Sequence, residues 1–135
     1  MPANFKDVEI MRKAIGCCIE VEKILGPTLI ERAYQIALIR ELELNGFKVE
    51  TERPIDFDYK GVLIPNAFRA DIIVDNQLII ELKAVDDFQP YHHLQLRTYM
   101  KLLSIPYGLL VNFHKPHLIN GGLSRKSIYD NPSCP

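Results

Sequence analysis

Two apolar runs, Phe68-Arg69-Ala70-Asp71-Ile72-Ile73-Val74 and Leu78-Ile79-Ile80-Glu81-Leu82-Lys83, flank a turn-like break at Asp75-Asn76-Gln77. Together they predict an antiparallel hairpin. Runs this apolar on both faces belong in the middle of a covered sheet. That placement gives weight to the three charges inside them, Asp71, Glu81 and Lys83. A short turn centred near Asn76 sets Asp71 across from Glu81, to within about one residue of register. Side chains alternate along a strand, so Glu81 and Lys83 share a face while Leu82 points the other way. Two carboxylates about 4 Å apart repel by roughly 4 kcal/mol at an effective dielectric near 20. A divalent cation between them makes that repulsion tolerable, and the hairpin reads as a metal site.

A chain of 135 residues fits one domain and buries a sizeable core. Its mixture of 47% hydrophobic and 24% charged residues is that of an ordinary soluble protein. The formal net charge of -1 provides no global basic field for nucleic acid. The charges are uneven, however. Residues 1–58 carry 8 Lys/Arg against 11 Asp/Glu, whereas residues 84–135 carry 5 against 3 together with all four histidines, so a polyanion is expected on the C-terminal half. Cys17 and Cys18 are adjacent on a predicted helix and diverge by about 100° around it. With Cys134 far away, they suit neither a disulfide framework nor a zinc site. No apolar run approaches membrane-spanning length and no signal peptide opens the chain, so a cytoplasmic protein is expected, with no membrane partner.

Helical spacing of Val8, Met11, Ala14, Ile15, Cys18, Val21 and Leu25 predicts a first helix over 6–25, ended by Gly26-Pro27. Thr28 is expected to cap a second helix over 29–44, which Asn45-Gly46 stops. Residues 47–52 alternate like a half-exposed strand, and 54–59 read as a second strand or its continuation, turning at Lys60-Gly61. Residues 62–64 lead past Pro65-Asn66 into the hairpin. After Lys83 a loop leads to Pro90 and a third helix over 91–103, then a buried strand over 107–113. From His114 the chain is expected to hug the surface, and 129–135 to form a disordered tail behind a single domain over 1–128. The fold class is α/β (α+β), with a central sheet of four to five strands flanked by helices.

With these residues in view, the chain resembles the PD-(D/E)XK nuclease superfamily, and within it the small bacterial proteins of the GxxExxY family. The superfamily pattern corresponds to Asp71 followed by Glu81-Leu82-Lys83. The narrower resemblance rests on Ile15-Gly16, Ile19-Glu20-Val21, Leu25-Gly26-Pro27, Leu29-Ile30-Glu31-Arg32-Ala33-Tyr34 and Arg69-Ala70-Asp71. It continues in order through Glu81-Leu82-Lys83-Ala84, His92, Gln95-Leu96, Thr98-Tyr99, Gly108-Leu109-Leu110 and Asn112-Phe113. Thr28 stands where the naming glycine usually sits, and Glu22 where a histidine is usual.

The resemblance implies a restriction-endonuclease-like core and a catalytic set of Glu31, Asp71, Glu81, Lys83 and Gln95. Asp71, Glu81, the Leu82 carbonyl and Glu31 would hold Mg²⁺ or Mn²⁺. Lys83 would position or help deprotonate water and stabilise a pentavalent phosphate. Each residue has a plainer role as well. Asp71 pairs with Arg69 or Lys83 at a sheet rim, and Lys83 forms a buried salt bridge. Glu31 answers Thr28 in a capping box. Tyr34 is core or a hydrogen-bonding partner. His92, one turn from Gln95, contacts phosphate or caps its helix. Tyr99 is core with its hydroxyl bonded, and His93, His114 and His117 are surface histidines.

The expected function is a metal-dependent nuclease-like phosphodiesterase acting on DNA or RNA. The rival is a catalytically silent nuclease-fold module that binds nucleic acid or a protein partner. A hydrolase of a small phosphorylated ligand is a third class. So small a domain would need a homodimer to embrace a duplex, and the apolar first helix is the expected interface.

Overall fold

The computed structural model describes residues 8–130. Its elements are α1 (Glu9–Leu25), α2 (Glu31–Leu44), β1 (Val49–Tyr59), β2 (Val62–Val74), β3 (Leu78–Lys83), α3 (Pro90–Leu103), β4 (Tyr107–Asn112) and β5 (Leu123–Ser127). The five strands lie in the order β1-β2-β3-β4-β5. The β3–β4 pair is parallel and the others antiparallel. A parallel pair needs a long crossover, and α3 supplies it. This is a mixed α+β sheet flanked by three helices, a restriction-endonuclease-like fold.

Strand alternation sorts the core into two layers. Ile72, Val74, Leu78, Ile80, Leu82, Leu109 and Val111 pack against the buried faces of α1 and α2. Ile73, Ile79 and Leu110, with Ile55 and Ala70, face Leu96, Tyr99 and Met100 of α3. Both faces are covered, which explains why β3 reads as a continuous apolar run. Helix α3 lies close on β4: a Cβ added to Gly108 would stand 2.6 Å from Met100 Sδ. Ile10, Met11, Ala14, Ile15, Cys17, Cys18 and Val21 of α1 are buried within this chain, whereas Ile24 near its end stays exposed. No helix among the described residues is long and apolar enough to cross a membrane.

Two local expectations change, and one open alternative is resolved. The second helix starts at Glu31 with Ile30 as its N-cap and no side-chain cap, so Thr28 does not cap it and the Thr28–Glu31 capping box does not form. The cause is Tyr34: its hydroxyl donates to Gly26 O at 2.5 Å and accepts from the Leu29 N–H at 3.0 Å. That clamp holds the connection non-helical until Ile30 (φ -77, ψ 157). Next, residues 49–59 form one long strand, with an irregularity in the ladder between Ile55 and Phe57. At that point the Asp56 carboxylate accepts the Asn66 N–H at 2.9 Å. Finally, the stretch expected to hug the surface contains β5, whose Lys126 and Ser127 are buried. Tyr129 and Asp130 are held by bonds to Ser127, and the rest of the expected tail, like residues 6–7 of the first predicted helix, lies outside the described residues.

Candidate active site

The β2–β3 ladder pairs Val74 with Leu78, Ile73 with Ile79 and Ile72 with Ile80, and stops there. One step further stand Asp71 and Glu81, opposite each other as the hairpin register predicts. Backbone bonds give way to side chains at this rung. The Asp71 N–H donates to Glu81 Oε1 at 2.9 Å, and the Leu82 N–H donates to Asp71 Oδ2 at 3.0 Å. The strands therefore fork, and the fork is held by the two carboxylates.

Helix α2 reaches the same fork. Gln35 Nε2 donates to the Asp71 carbonyl at 3.3 Å. A cavity of about 250 Å³ opens between α2 and the strands, lined by Glu31, Arg32, Gln35, Glu52, Asp71 and Leu82. Losing its expected cap role frees Glu31, now the first residue of α2, to face this space. Among the described residues no group of three or more His, Cys, Asp or Glu side chains is gathered closely enough to hold a metal ion. Asp71 and Glu81 meet, and Glu31 stands off from them across the cavity.

On the α3 side, Lys83 Nζ donates to Gln95 Oε1 at 3.5 Å, so the two residues expected to act together do meet. Among the described residues Lys83 forms no ion pair with Asp71 or Glu81; it acts on them at longer range. His92 takes the helix-capping option: its Nδ1 accepts the Gln89 N–H at 2.8 Å in a reciprocal capping box. With Nδ1 an acceptor, the neutral ring carries its proton on Nε2. Tyr34 is fully buried, its ring stacked on Phe113 with centroids 4.5 Å apart and its hydroxyl occupied by the α1–α2 clamp. It is set in the core beneath the site.

Electrostatics follow from this burial. Desolvation pushes the Glu81 carboxyl up to about 8, with neighbouring Asp71 adding to it, so Glu81 is protonated at neutral pH. Desolvation also raises Asp71, against hydrogen bonding from Leu82 and the charge of Lys83. Glu31 is raised by burial and by Asp71, with Lys83 and His114 opposing. Burial and the Lys83 charge lower the His92 imidazole. Tyr99 is pushed up to about 12 by burial and then by Glu81 and Asp71, and remains a neutral hydroxyl in contact with Gln95. The donors gathered at the fork are hard carboxylate and carbonyl oxygens. Oxygens of this kind are the donors a hard divalent cation takes.

Four residues near the site were not singled out for it from the sequence. Asn112 is buried. Its Oδ1 accepts from Val85 and His114 N–H, each at 3.2 Å, and its Nδ2 donates to Val85 O at 2.7 Å, pinning the chain that leaves Lys83. Gln35 is legible as the residue one turn beyond Glu31. Arg32 enters the sequence reading only within the segment 29–34, and Glu52 only within the half-exposed strand over 47–52. Glu22, where the resemblance has histidine, accepts the Leu118 N–H and ties α1 to the segment before β5. His114 Nε2 lies 3.1 Å from Leu29 O, and His93, expected at the surface, is half-buried beside Phe88.

A family profile of the PD-(D/E)XK nuclease superfamily matches residues 8–126. The chain belongs to that superfamily. No curated protein matches the chain. Among solved structures, the crystal structure of SSO0001 is similar with a TM-score of 0.53 and 22% identity over 88% of this chain, a likeness of fold. The chain spans 60% of the length of that protein.

Proposed function

We propose that this chain is a divalent-metal-dependent phosphodiesterase that hydrolyses nucleic acid, and that within its superfamily it belongs with the GxxExxY proteins. The observation that carries the reading is the fork itself: a half-buried carboxylate, Asp71, and a buried one, Glu81, hold the ends of parted strands, with an amine and an amide beside them. Asp71 and Glu81, with the Leu82 carbonyl and Glu31 approaching from α2, would hold Mg²⁺ or Mn²⁺. Such an ion supplies an activated water and neutralises charge on the phosphate. Lys83, steadied by Gln95, holds a positive charge beside the reacting phosphate and orients the water. Gln95 is in turn braced by Tyr99. His92 presents its Nε2–H on the same helix face as a neutral donor.

The test is cleavage of labelled single-stranded, duplex and structured DNA and RNA in Mg²⁺ and Mn²⁺. Hydrolysis abolished by Asp71→Ala and by Lys83→Ala supports the proposal, and no cleavage of any substrate by the wild type contradicts it. That only Asp71 and Glu81 meet at the fork, with no third acidic side chain gathered to them among the described residues, favours a second reading, a nuclease-fold module that binds without cutting. Nucleic-acid binding retained by Asp71→Ala, with no thermal response to Mg²⁺ over EDTA, selects it.

A further inference from the structure

Glu52 stands at an unusual point of β1. The β1–β2 ladder pairs Thr51 with Ile72 and Arg53 with Ala70, and the register between those pairs sets Glu52 opposite Asp71. The rung is interrupted there, and Glu52 has φ 49, in the left-handed region. Like charges directly across a ladder repel, and the left-handed turn carries the Glu52 side chain to the cavity mouth. Arg32, in the first turn of α2, meets it from the opposite wall: Nη1 and Oε1 are 3.9 Å apart, with the side chains 65% and 51% exposed. One ion pair thus spans the opening of the cavity that holds Glu31, Asp71 and Leu82.

We infer that Arg32 and Glu52 form an exchangeable latch, in which a phosphate of an incoming nucleic-acid strand displaces Glu52 and takes the Arg32 guanidinium. This rests on the phosphodiesterase reading and names the group that receives the substrate. Long, exposed ion pairs contribute little, whereas bidentate guanidinium–phosphate pairs are among the strong charge-assisted contacts. The exchange therefore runs toward phosphate. The lining sets three carboxylates against this one guanidinium, so a polyanion is repelled unless Arg32 answers it. In the unliganded protein Glu52 holds Arg32 at the mouth.

The experiment measures binding of a fluorescent oligonucleotide, single-stranded or duplex, as salt is varied. Ca²⁺ serves as the cation in the binding assay, since the same oxygens accept it. Melting shifts in Mn²⁺ are recorded in parallel. Arg32→Ala is expected to weaken binding about tenfold and to flatten the log–log salt slope by about 0.9 for duplex or about 0.7 for single strand. Arg32→Lys keeps the slope and recovers part of the affinity. Glu52→Gln tightens binding about threefold. All three retain the wild-type Mn²⁺ shift.

Wild-type affinity and slope in Arg32→Ala overturn the latch alone, provided Asp71→Ala has lost the Mn²⁺ shift. Loss of that shift in Glu52→Gln makes Glu52 a metal ligand and overturns its role as the displaced anion. A wild-type protein that binds no oligonucleotide overturns both readings. Binding without any Mn²⁺ shift overturns the metal reading and leaves Arg32 to be judged by its slope.

Discussion

Asp71 and Glu81 are bound to each other's strands: the Asp71 N–H reaches Glu81 Oε1 at 2.9 Å, and the Leu82 N–H reaches Asp71 Oδ2 at 3.0 Å. The two carboxylates do structural work and present oxygen donors at once. Each keeps its geometry fixed by satisfying a backbone donor that the forked ladder has orphaned. A site so built is preorganised, and the proton on Glu81 is what a cation must displace.

That proton makes metal binding depend on pH. Glu81 is pushed up to about 8 by desolvation and then by Asp71, so Mn²⁺ affinity rises from pH 6 to pH 8 with release of about one proton. Calorimetry in buffers of different ionisation enthalpy measures it. The metal-free protein behaves oppositely. Its Glu81 binds a proton more tightly folded than unfolded, so this contribution to stability is complete below the unfolded value near 4.5 and is lost as pH rises through about 8. The loss is about 5 kcal/mol at most. Glu81→Gln flattens both dependences; a pH-independent Mn²⁺ affinity contradicts the assignment.

Lys83 and Gln95 are expected to separate in size of effect. Lys83→Ala lowers single-turnover cleavage by about 10²–10³-fold, because a fixed charge beside the phosphate is lost. Gln95→Ala, which only frees the amine from a 3.5 Å bond, lowers it about tenfold. Equal losses would mean that the pair acts as one unit.

Tyr34 carries a stability prediction. Tyr34→Phe leaves the Gly26 carbonyl and the Leu29 N–H without their partner, at a cost of about 1–3 kcal/mol by urea unfolding. The α1–α2 connection loosens and Glu31 shifts, so cleavage falls with stability. An unchanged midpoint would show that water replaces the hydroxyl without penalty.

Asn112 should behave as a positioning residue. Asn112→Ala orphans Val85 N–H, Val85 O and one bond of His114, destabilising by about 2–3 kcal/mol. Amide exchange over residues 84–89 accelerates, while helix α1 keeps its protection. Uniform exchange across the domain would instead mark a global effect.

The legible parts of the fold were those written in local chemistry. Gly26-Pro27 ended α1 at Leu25, with Gly26 at φ 70 and its N–H bonded to Glu22 O, and Asn45-Gly46 ended α2 at Leu44. The Asp71–Glu81 register followed from one turn, and Lys83 from strand alternation. What escaped depended on side-chain contacts that residue type alone does not announce. Thr28 has the residue type of a cap, but a tyrosine hydroxyl from the next turn overrides it. Strand β5 reads Leu-Ser-Arg-Lys-Ser, a polar run whose Lys126 is nonetheless buried and donates to Ser124 Oγ at 2.9 Å. Arg32 and Glu52 meet only once α2 crosses the sheet edge.

The most direct measurement is anomalous scattering from a crystal soaked in Mn²⁺. The account predicts a single strong peak about 2.0–2.5 Å from carboxylate oxygens of both Asp71 and Glu81. A map without a peak at the fork, or with Mn²⁺ held elsewhere, would contradict it.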